Sequence, residues 1–431
     1  MYRKIMGFLE AWKDSVHRKP LILQGARQVG KTYSILEFGR THYENVAYFN
    51  FETNPKLNET FDENISPDYL IPILSHIAGQ TIVREQTLIV FDEVQLCERA
   101  LTSLKYFCEN APQYHIIVAG SLLGVAVNRA KFSFPVGKVD MKTLYPMDME
   151  EFMLALGEED LVEQIKKCFN TDTPLPSALH DAAMQLYRQY LVVGGMPECV
   201  MQFAQTKDYI LVRHTQDTIL ASYLNDMSKY NNLNEIKKTR LAYDNITVQL
   251  SKKNTRFQYK LIKKGGRASE FENAIEWLCL SGIVSQVYRV EQVKKPLENY
   301  RDIDSFKIYV SDLGLLCAKK DLAAKDILYM VEELNDFKGG MAENYVNVQL
   351  SINGYSTYYW ESERGAEIDF VIQRDGQLIP IEVKSADNTR AKSLKVYMDT
   401  YKPAYAIKLS TKNFGYTDNK KIVPLYAAVC I

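Results

Sequence analysis

Two groups of residues in this sequence have the types and spacing to do chemistry on phosphates. The first is contiguous. Gly25-Ala26-Arg27-Gln28-Val29-Gly30-Lys31-Thr32 fits the spacing G-x-x-x-x-G-K-[ST]. Glycines at both ends let the backbone curl so that several amides face one anion. Lys31 then reaches β- and γ-phosphates, and Thr32 offers its hydroxyl to magnesium. Asp92 and Glu93, about sixty residues on, complete the set. Asp92 is placed to hold the magnesium through water, and Glu93 to orient and polarise an attacking water. The second group is dispersed: Glu343, Asp369, Glu382 and Lys384. Glu382 and Lys384 alternate on "IPIEVKS", which puts both on one face of a strand. That pair alone is either a salt bridge or half of a metal site that cuts a phosphodiester. A second acid, Asp369, stands thirteen residues before Glu382. Bunched carboxylates repel unless a cation sits among them, and hard oxygen ligands suit magnesium or manganese. Asp369 and Glu382 are therefore the expected ligands of a second divalent cation, with Glu343 assisting and Lys384 steadying a hydroxide or a phosphate charge.

The elements around the first group are those such chemistry needs. Leu21 to Leu23 is a short apolar strand running into the loop, and a helical pattern follows, so free amides and a helix dipole point at the same anion. "TLIVFDE" from 87 to 93 is an apolar strand with Asp92 emerging at its C-terminal end, where open α/β sheets bind ligands. "HIIVAGS" from 115 to 121 and "NVAYFNFE" from 45 to 52 supply further strands of a parallel sheet crossed over by helices. Ser121, at the end of one of them, is either a γ-phosphate sensor or the N-cap of the helix that follows.

Around the second group, 368–372 and 378–383 read as antiparallel strands joined by a turn at Asp375-Gly376. That hairpin brings Asp369 near Glu382, and "GGMAENYVNVQL" presents Glu343 on a helix. "STYYWESERG" offers Tyr358, Tyr359 and Trp360 for stacking on bases, with at least one of them due to the core. Arg364 and Arg390 flank the acids and either hold phosphates or balance local charge.

"LILQGARQVGKT", "LIVFDEVQ", "IIVAGSLLG", "LYPMDMEEF" and "YLVVGGMPECV" resemble prokaryotic ATPases of the AAA superfamily fused to a C-terminal domain of uncharacterised function. The resemblance runs over nearly the whole chain. It implies ATP and magnesium as cofactors, a small helical lid and a C-terminal region similar to a restriction-endonuclease fold. Glu343, Asp369, Glu382 and Lys384 resemble, position for position, the metal-binding and catalytic set of PD-(D/E)xK nucleases. Such domains either cleave or keep the fold as a binding platform. Relatives of this type often form rings, which makes a homo-oligomer an expectation. They also often carry Gly-Arg where this chain has Gly137-Lys138, and a lysine lacks the planar fork. The arginine finger is thereby unassigned, with Arg129 a guess.

Between the two groups, Gly194-Gly195-Met196-Pro197 marks a sharp break between helical patterns at 180–192 and 198–220, read as shaping the lid. From Lys229 to Arg267 the chain carries eleven Lys or Arg and two acids. Helical patterns at 233–250, 257–263 and 268–282, followed by the alternating "IVSQVYRVE", read as a winged helix. Its partner is either nucleic acid, DNA or RNA, through phosphate contacts, or protein. The expected organisation is thus α/β throughout. An AAA-type P-loop core spans 1–165, a helical lid 166–228, a winged-helix domain 229–300, and a restriction-endonuclease-like α/β domain 301–431.

Composition limits the alternatives. The chain of 431 residues is 46% apolar and 24% charged with a net charge of −1, so no global field draws it to nucleic acid or anionic lipid. Seven cysteines without a C-x-x-C pair, and six scattered histidines, argue against structural zinc and for a reducing compartment. With no eighteen-residue apolar run and no signal-like N-terminus, the expectation is a cytoplasmic protein without a membrane span.

Overall fold

Apolar strands that end in polar residues form the first layer. β1 (Leu21–Gln24), β2 (Asn45–Asn50), β3 (Thr87–Asp92), β4 (His115–Ala119) and β5 (Asp140–Thr143) make one sheet in the order β2-β3-β4-β1-β5. Every pairing in it is parallel. All six residues of β3 are buried, as a strand covered on both faces requires. Helices Lys31–His42, Pro67–Ala78 and Glu98–Asn110 supply the crossovers, and Phe49, Phe51, Phe61, Phe91 and Phe107 join one core beneath them. The computed structural model describes residues 1–120, 134–229, 233–250, 256–385 and 392–431. Ser121, Arg129 and Arg390 lie outside the described residues.

The chain separates into two compact units. One is Arg3–Tyr145 with Leu280–Gly282; the other is Pro146–Cys279 with Ile283–Ile431 and the first two residues. The second unit is built on an eight-stranded mixed sheet, and its strands are β6 (Val284–Val290), β7 (Arg301–Val310), β8 (Tyr358–Glu361), β9 (Glu367–Arg374), β10 (Gln377–Val383), β11 (Ala406–Ser410), β12 (Gly415–Thr417) and β13 (Lys420–Pro424). Their order is β12-β13-β11-β10-β9-β8-β6-β7. The β9–β10 hairpin turns at Asp375 and Gly376, with φ of 48° and 72°, and pairs Arg374 with Gln377. Two successive positive φ values give the two-residue turn that matches strand twist.

Several local readings change here. The stretch read as a wing is β6, an interior strand antiparallel to β7 and parallel to β8. Its hydrogen-bonding edges are therefore both occupied within this sheet. The helix read over 257–263 is a single 3-10 turn, Tyr259–Leu261. Gly266, whose amide donates to Lys263 O (2.8 Å), packs against that turn, and a Cβ there would stand 2.7 Å from the Tyr259 carbonyl oxygen. The pattern read as one helix over 198–220 is two, Pro197–Thr206 and Tyr209–Lys229. Lys207 between them adopts φ 55°, and Asp208 accepts from the amides of Ile210 and Leu211 to start the second.

The Gly194-Gly195 turn has a structural role within its own unit. Gly195 N donates to Asp312 Oδ2 (2.6 Å), and Met147 N donates to Gly195 O (2.6 Å). A Cβ on Gly195 would stand 2.1 Å from the Met147 carbonyl oxygen, and one on Gly194 would stand 2.3 Å from Asp312 Oδ1. Asp312 also caps helix Leu313–Lys319 through Leu315 N (2.8 Å). The turn ties three segments of its own unit together, and both glycines are needed because backbone and carboxylate lie where side chains would go.

Candidate functional site

The first unit assembles the expected phosphate-binding residues. Gly25 has φ 147°, and a Cβ there would lie 2.1 Å from the Leu144 carbonyl oxygen. Only glycine fits against the β5 segment. Gly30, with φ 90°, stands at the N-terminus of helix Lys31–His42, whose first turn is sealed by Ser34 N donating to Gly30 O (2.9 Å). Gln28 takes φ 65°, a strained value for a non-glycine. Lys31 is buried and donates to the loop's own carbonyls, Gly25 O (3.0 Å) and Ala26 O (2.8 Å). Ala26, Arg27, Gln28 and Val29 form the turn between them.

The motif on the neighbouring strand meets this loop. Thr32 Oγ1 donates to Asp92 Oδ2 (2.9 Å), joining two motifs sixty residues apart. Tyr48 OH donates to the same oxygen (2.7 Å) and receives a bond from Asn50 Nδ2 (3.2 Å). Burial, more than Asp92 itself, pushes the Tyr48 phenol up to about 12, so it stays a donor at any physiological pH. Asp92 Oδ1 accepts from Glu93 N (2.9 Å). Glu93 itself sits at φ 50°, half-buried, with Gln95 Nε2 donating to its carboxylate. These residues fit a nucleoside triphosphate with magnesium. The lysine is parked on carbonyls it would exchange for phosphate oxygens, and the Thr32–Asp92 pair stands where the metal's ligands would come from. The bound metal would draw off phosphate charge; Lys31, Thr32 and Asp92 hold and orient it.

Two supporting residues escaped the sequence reading. Arg3, 4% exposed, donates to Val29 O (3.0 Å) and Tyr145 O (2.8 Å), pinning the loop to the end of the sheet. Tyr48 is the other. Alternation along β2 marks it as pointing opposite to Ala47 and Phe49, which is a signal for a face but not for a role. Lys138, weighed as a substitute arginine, pairs with Glu109 at 2.9 Å.

In the second unit Glu343, Asp369, Glu382 and Lys384 also come together. Glu343 lies on helix Asn335–Ile352, Asp369 on β9, and Glu382 on β10, one rung past the Phe370–Ile381 pair. Asp369 is buried, and its Oδ2 accepts from Val383 N (2.7 Å). Lys384 Nζ pairs with Glu382 Oε1 at 3.2 Å, while Glu382 Oε2 is buried with no hydrogen-bond partner. The salt bridge that the sequence offered as one alternative is present.

The cluster nevertheless differs from a set of bare carboxylates. Lys307, from β7, is 2% exposed and pairs with Glu343 Oε2 at 3.3 Å and with Glu367. It also lies 5.1 Å from the Tyr359 ring centre, and Tyr309 OH donates to the same Glu343 oxygen (3.0 Å). Burial alone would lower the Lys307 ammonium, but Glu343, Tyr309 and Glu367 outweigh it and hold it well above its ordinary value. The sequence reading had only Lys384 as a nearby base, because Lys307 stands 36 residues before Glu343. Burial and then Glu343 raise the Asp369 carboxyl to about 7, against the pull of Lys307 and Lys384. Among the described residues, no group of three or more His, Cys, Asp or Glu side chains is placed to hold a metal ion.

The aromatic stretch expected to stack on bases is core instead. Tyr358, Tyr359 and Trp360 are all buried, and Trp360 Nε1 donates to Tyr401 OH (3.1 Å). The reason is that both faces of β8 are covered: Trp360 packs on Tyr397 and Tyr401, and Tyr359 lies against Lys307. Arg364 is exposed. In the basic stretch, Lys238 pairs with Glu235 (3.0 Å) and Lys263 with Glu270 (3.2 Å), so part of its charge is met internally. No helix among the described residues is long and apolar enough to cross a membrane.

Comparison with known proteins separates the chain into three stretches. Residues 17–153 match a family described as AAA domain. Residues 184–326 and 338–428 match two families each described as a domain of unknown function, DUF8612 and DUF4143. No curated protein matches the chain. Among solved structures, a Walker-type ATPase of Pyrococcus abyssi is similar at 13% identity and TM-score 0.45, covering 74% of this chain and 95% of that one. The Aeropyrum pernix ORC2 protein, in ADPNP–ADP complexes, is similar at 11% identity and TM-score 0.36, covering 79% and 95%. The Thermotoga maritima RuvB Holliday junction branch migration motor follows at 15% and 0.29, covering 65% and 87%. TM-scores below 0.5 establish no shared architecture. The N-terminal part is a P-loop, ATP-binding domain of the AAA type on its motifs, its parallel sheet and its family match.

Proposed function

We propose that this protein hydrolyses ATP and uses the nucleotide state to control a nuclease-shaped C-terminal platform. The observation that carries the first half is the Thr32–Asp92 contact at 2.9 Å, which draws the phosphate loop and the acidic strand end into one site. In this reading Lys31 leaves the Gly25 and Ala26 carbonyls for the β- and γ-phosphates. Thr32 and Asp92 hold magnesium, directly and through water, and Glu93 takes the proton of an attacking water. Ser121 is retained as a sensor candidate. The division into core, lid and nuclease-like segments belongs to the same proposal, as does a homo-oligomer.

For the C-terminal segment the reading favoured is binding without cutting, to nucleic acid or to a protein partner. Lys307 supports it, because a buried ammonium already pairs with Glu343 and Glu367. A second reading keeps cleavage by Glu343, Asp369, Glu382 and Lys384 around a divalent cation. The unpartnered Glu382 Oε2 is what favours it.

Calorimetry with ATP and magnesium tests the first half. Lys31→Ala should abolish tight binding, whereas Glu93→Gln should keep binding and depress turnover at least about a hundredfold, the lower end of the roughly 10²–10⁴ range for a general base. Equal ATP affinity in wild type and Lys31→Ala would sink the assignment. Incubation of wild type with manganese and labelled DNA or RNA decides between the two C-terminal readings: intact substrate supports the platform, and cleavage that Asp369→Ala abolishes supports the nuclease.

A further inference from the structure

A cavity of about 880 Å³ lies in the C-terminal sheet, between one helix face and one sheet face, and adjoins the acid cluster where its lining residue Lys408 pairs in register with Glu382. That volume is in the range of small-ligand sites. Helix Lys392–Tyr401 contributes Lys395, and Lys402 follows at its end. Lys402 is the left-handed residue that ends the helix, at φ 47°, and lines the cavity with Lys395. From the sheet come Lys408 on β11 and Lys420 on β13, with Lys412 just beyond β11. Lys408 pairs in register with Ile422, and Ala406 with Lys420, so the two strand lysines project from the same face.

Among the described residues, five ammonium groups in this lining face two carboxylates, Asp399 and Asp418, and Lys408 also neighbours Glu382 across the strands. Asp418 is engaged with Lys420 at 3.8 Å. Among the described residues, Lys395, Lys402 and Lys412 form no ion pair. Burial, then Lys412, Lys384 and Lys420, hold the Lys408 ammonium below its ordinary value, against the attraction of Glu382. The lining is therefore a concentration of positive charge that an anion would relieve.

Its composition narrows the anion. Among the described residues no arginine lines the cavity, so they provide no planar two-point recognition of a carboxylate. Among the described residues no aromatic ring lines it, so none of them stacks on a base. Lysines spread over a helix, two strands and a loop act as separate point charges, which suits a row of phosphates. We propose that this cavity binds a chain of consecutive phosphates, through Lys395, Lys402, Lys408, Lys412 and Lys420. The chain is either a free polyphosphate or the backbone of a single-stranded nucleic acid. This inference does not rest on the ATPase reading, and a background in which the P-loop is silenced tests it separately.

The experiment uses the full chain carrying Lys31→Ala, with inorganic tripolyphosphate and a fluorescein-labelled dT12 oligonucleotide as probes at low salt. Calorimetry should detect tripolyphosphate binding that weakens at least tenfold when Lys408, Lys412 and Lys420 are changed together to Gln. The Lys408→Arg, Lys412→Arg, Lys420→Arg chain should keep binding, and the single exposed change Lys412→Glu should weaken it without affecting folding. If dT12 also binds and tripolyphosphate displaces it, the source is a nucleic-acid backbone. The log–log salt slope should then be shallower by about 2 in the Gln variant, at roughly 0.7 per lost phosphate contact. Binding of tripolyphosphate alone identifies a free polyphosphate. Absence of binding by both probes, or equal binding by the Gln and parent chains, overturns the proposal.

Discussion

Asp369→Asn should stabilise the C-terminal unit at alkaline pH, although it removes a charge from a cluster of ion pairs. The native carboxyl is raised to about 7 from 3.8, first by burial and then by Glu343. At about 1.36 kcal/mol for each tenfold change in proton affinity, ionised Asp369 costs about 4 kcal/mol of folding stability at pH 8. The sign follows from proton uptake. Between about pH 4 and 7 the native state binds the proton and the unfolded chain does not, so this group's contribution to stability falls as pH rises through that window. Asparagine keeps an acceptor for Val383 N, the one backbone bond that Asp369 Oδ2 receives, and carries no charge to desolvate. The expected gain is about 2–4 kcal/mol at pH 8, under about 2 at pH 5, and nil near pH 3.5. Urea unfolding followed by tryptophan fluorescence measures it. Trp12 belongs to the other unit, so a Trp12→Phe background leaves Trp277 and Trp360 as reporters of this one. Asp369→Asn that is less stable than its parent at pH 8, or a gain that ignores pH, would refute the reasoning. So would a magnesium-dependent rise in parent stability, without nucleotide, that Asp369→Asn loses, because the cation would then be a metal and not Lys307.

Other substitutions test other joints. Lys307→Met should destabilise the same unit by about 3–5 kcal/mol at pH 8, since it leaves Glu343 without its ion partner, and the loss should shrink at pH 4; an unchanged urea midpoint would show the pair to be idle. Gly25→Ala places a Cβ 2.1 Å from Leu144 O, so ATP affinity should fall at least tenfold by calorimetry while the C-terminal unit unfolds at the same urea concentration. Gly195→Ala meets the Met147 carbonyl at the same distance and should cost about 1–3 kcal/mol, the usual range for overpacking, with nucleotide affinity unaltered.

The phosphate loop was legible because its chemistry is local: eight consecutive residues must curl around one anion, and a strand and helix must flank them. Asp92 was legible for a related reason, as the polar end of a buried strand. Arg3 and Tyr48 were not, because they reach the loop and Asp92 from distant parts of the chain, and nothing in their own surroundings marks the target. Lys307 shows the same limit more sharply. It sits in "SFKIYV", where alternation identifies a strand but not the neighbour its ammonium faces. The Glu343, Asp369, Glu382 and Lys384 set was readable as a gathering, since a hairpin and a helix bring it together. Its charge balance was not readable. Tyr358, Tyr359 and Trp360 were misassigned because pattern alone cannot tell which faces of a strand are covered, and both faces of β8 are packed.

The origin of Lys307 bears on what counts as a module in this chain. Residues 338–428 match one family and 184–326 another, a division suggesting parts that could be exchanged or expressed alone. The acid cluster belongs to the later stretch and the lysine that balances it to the earlier. A fragment cut at the family boundary would carry Glu343, Asp369 and Glu382 without that counter-charge and without β6 and β7, the strands that continue its sheet. In this chain the unit of inheritance and the unit of electrical neutrality have different edges, so any recombinant built along the former must restore the latter.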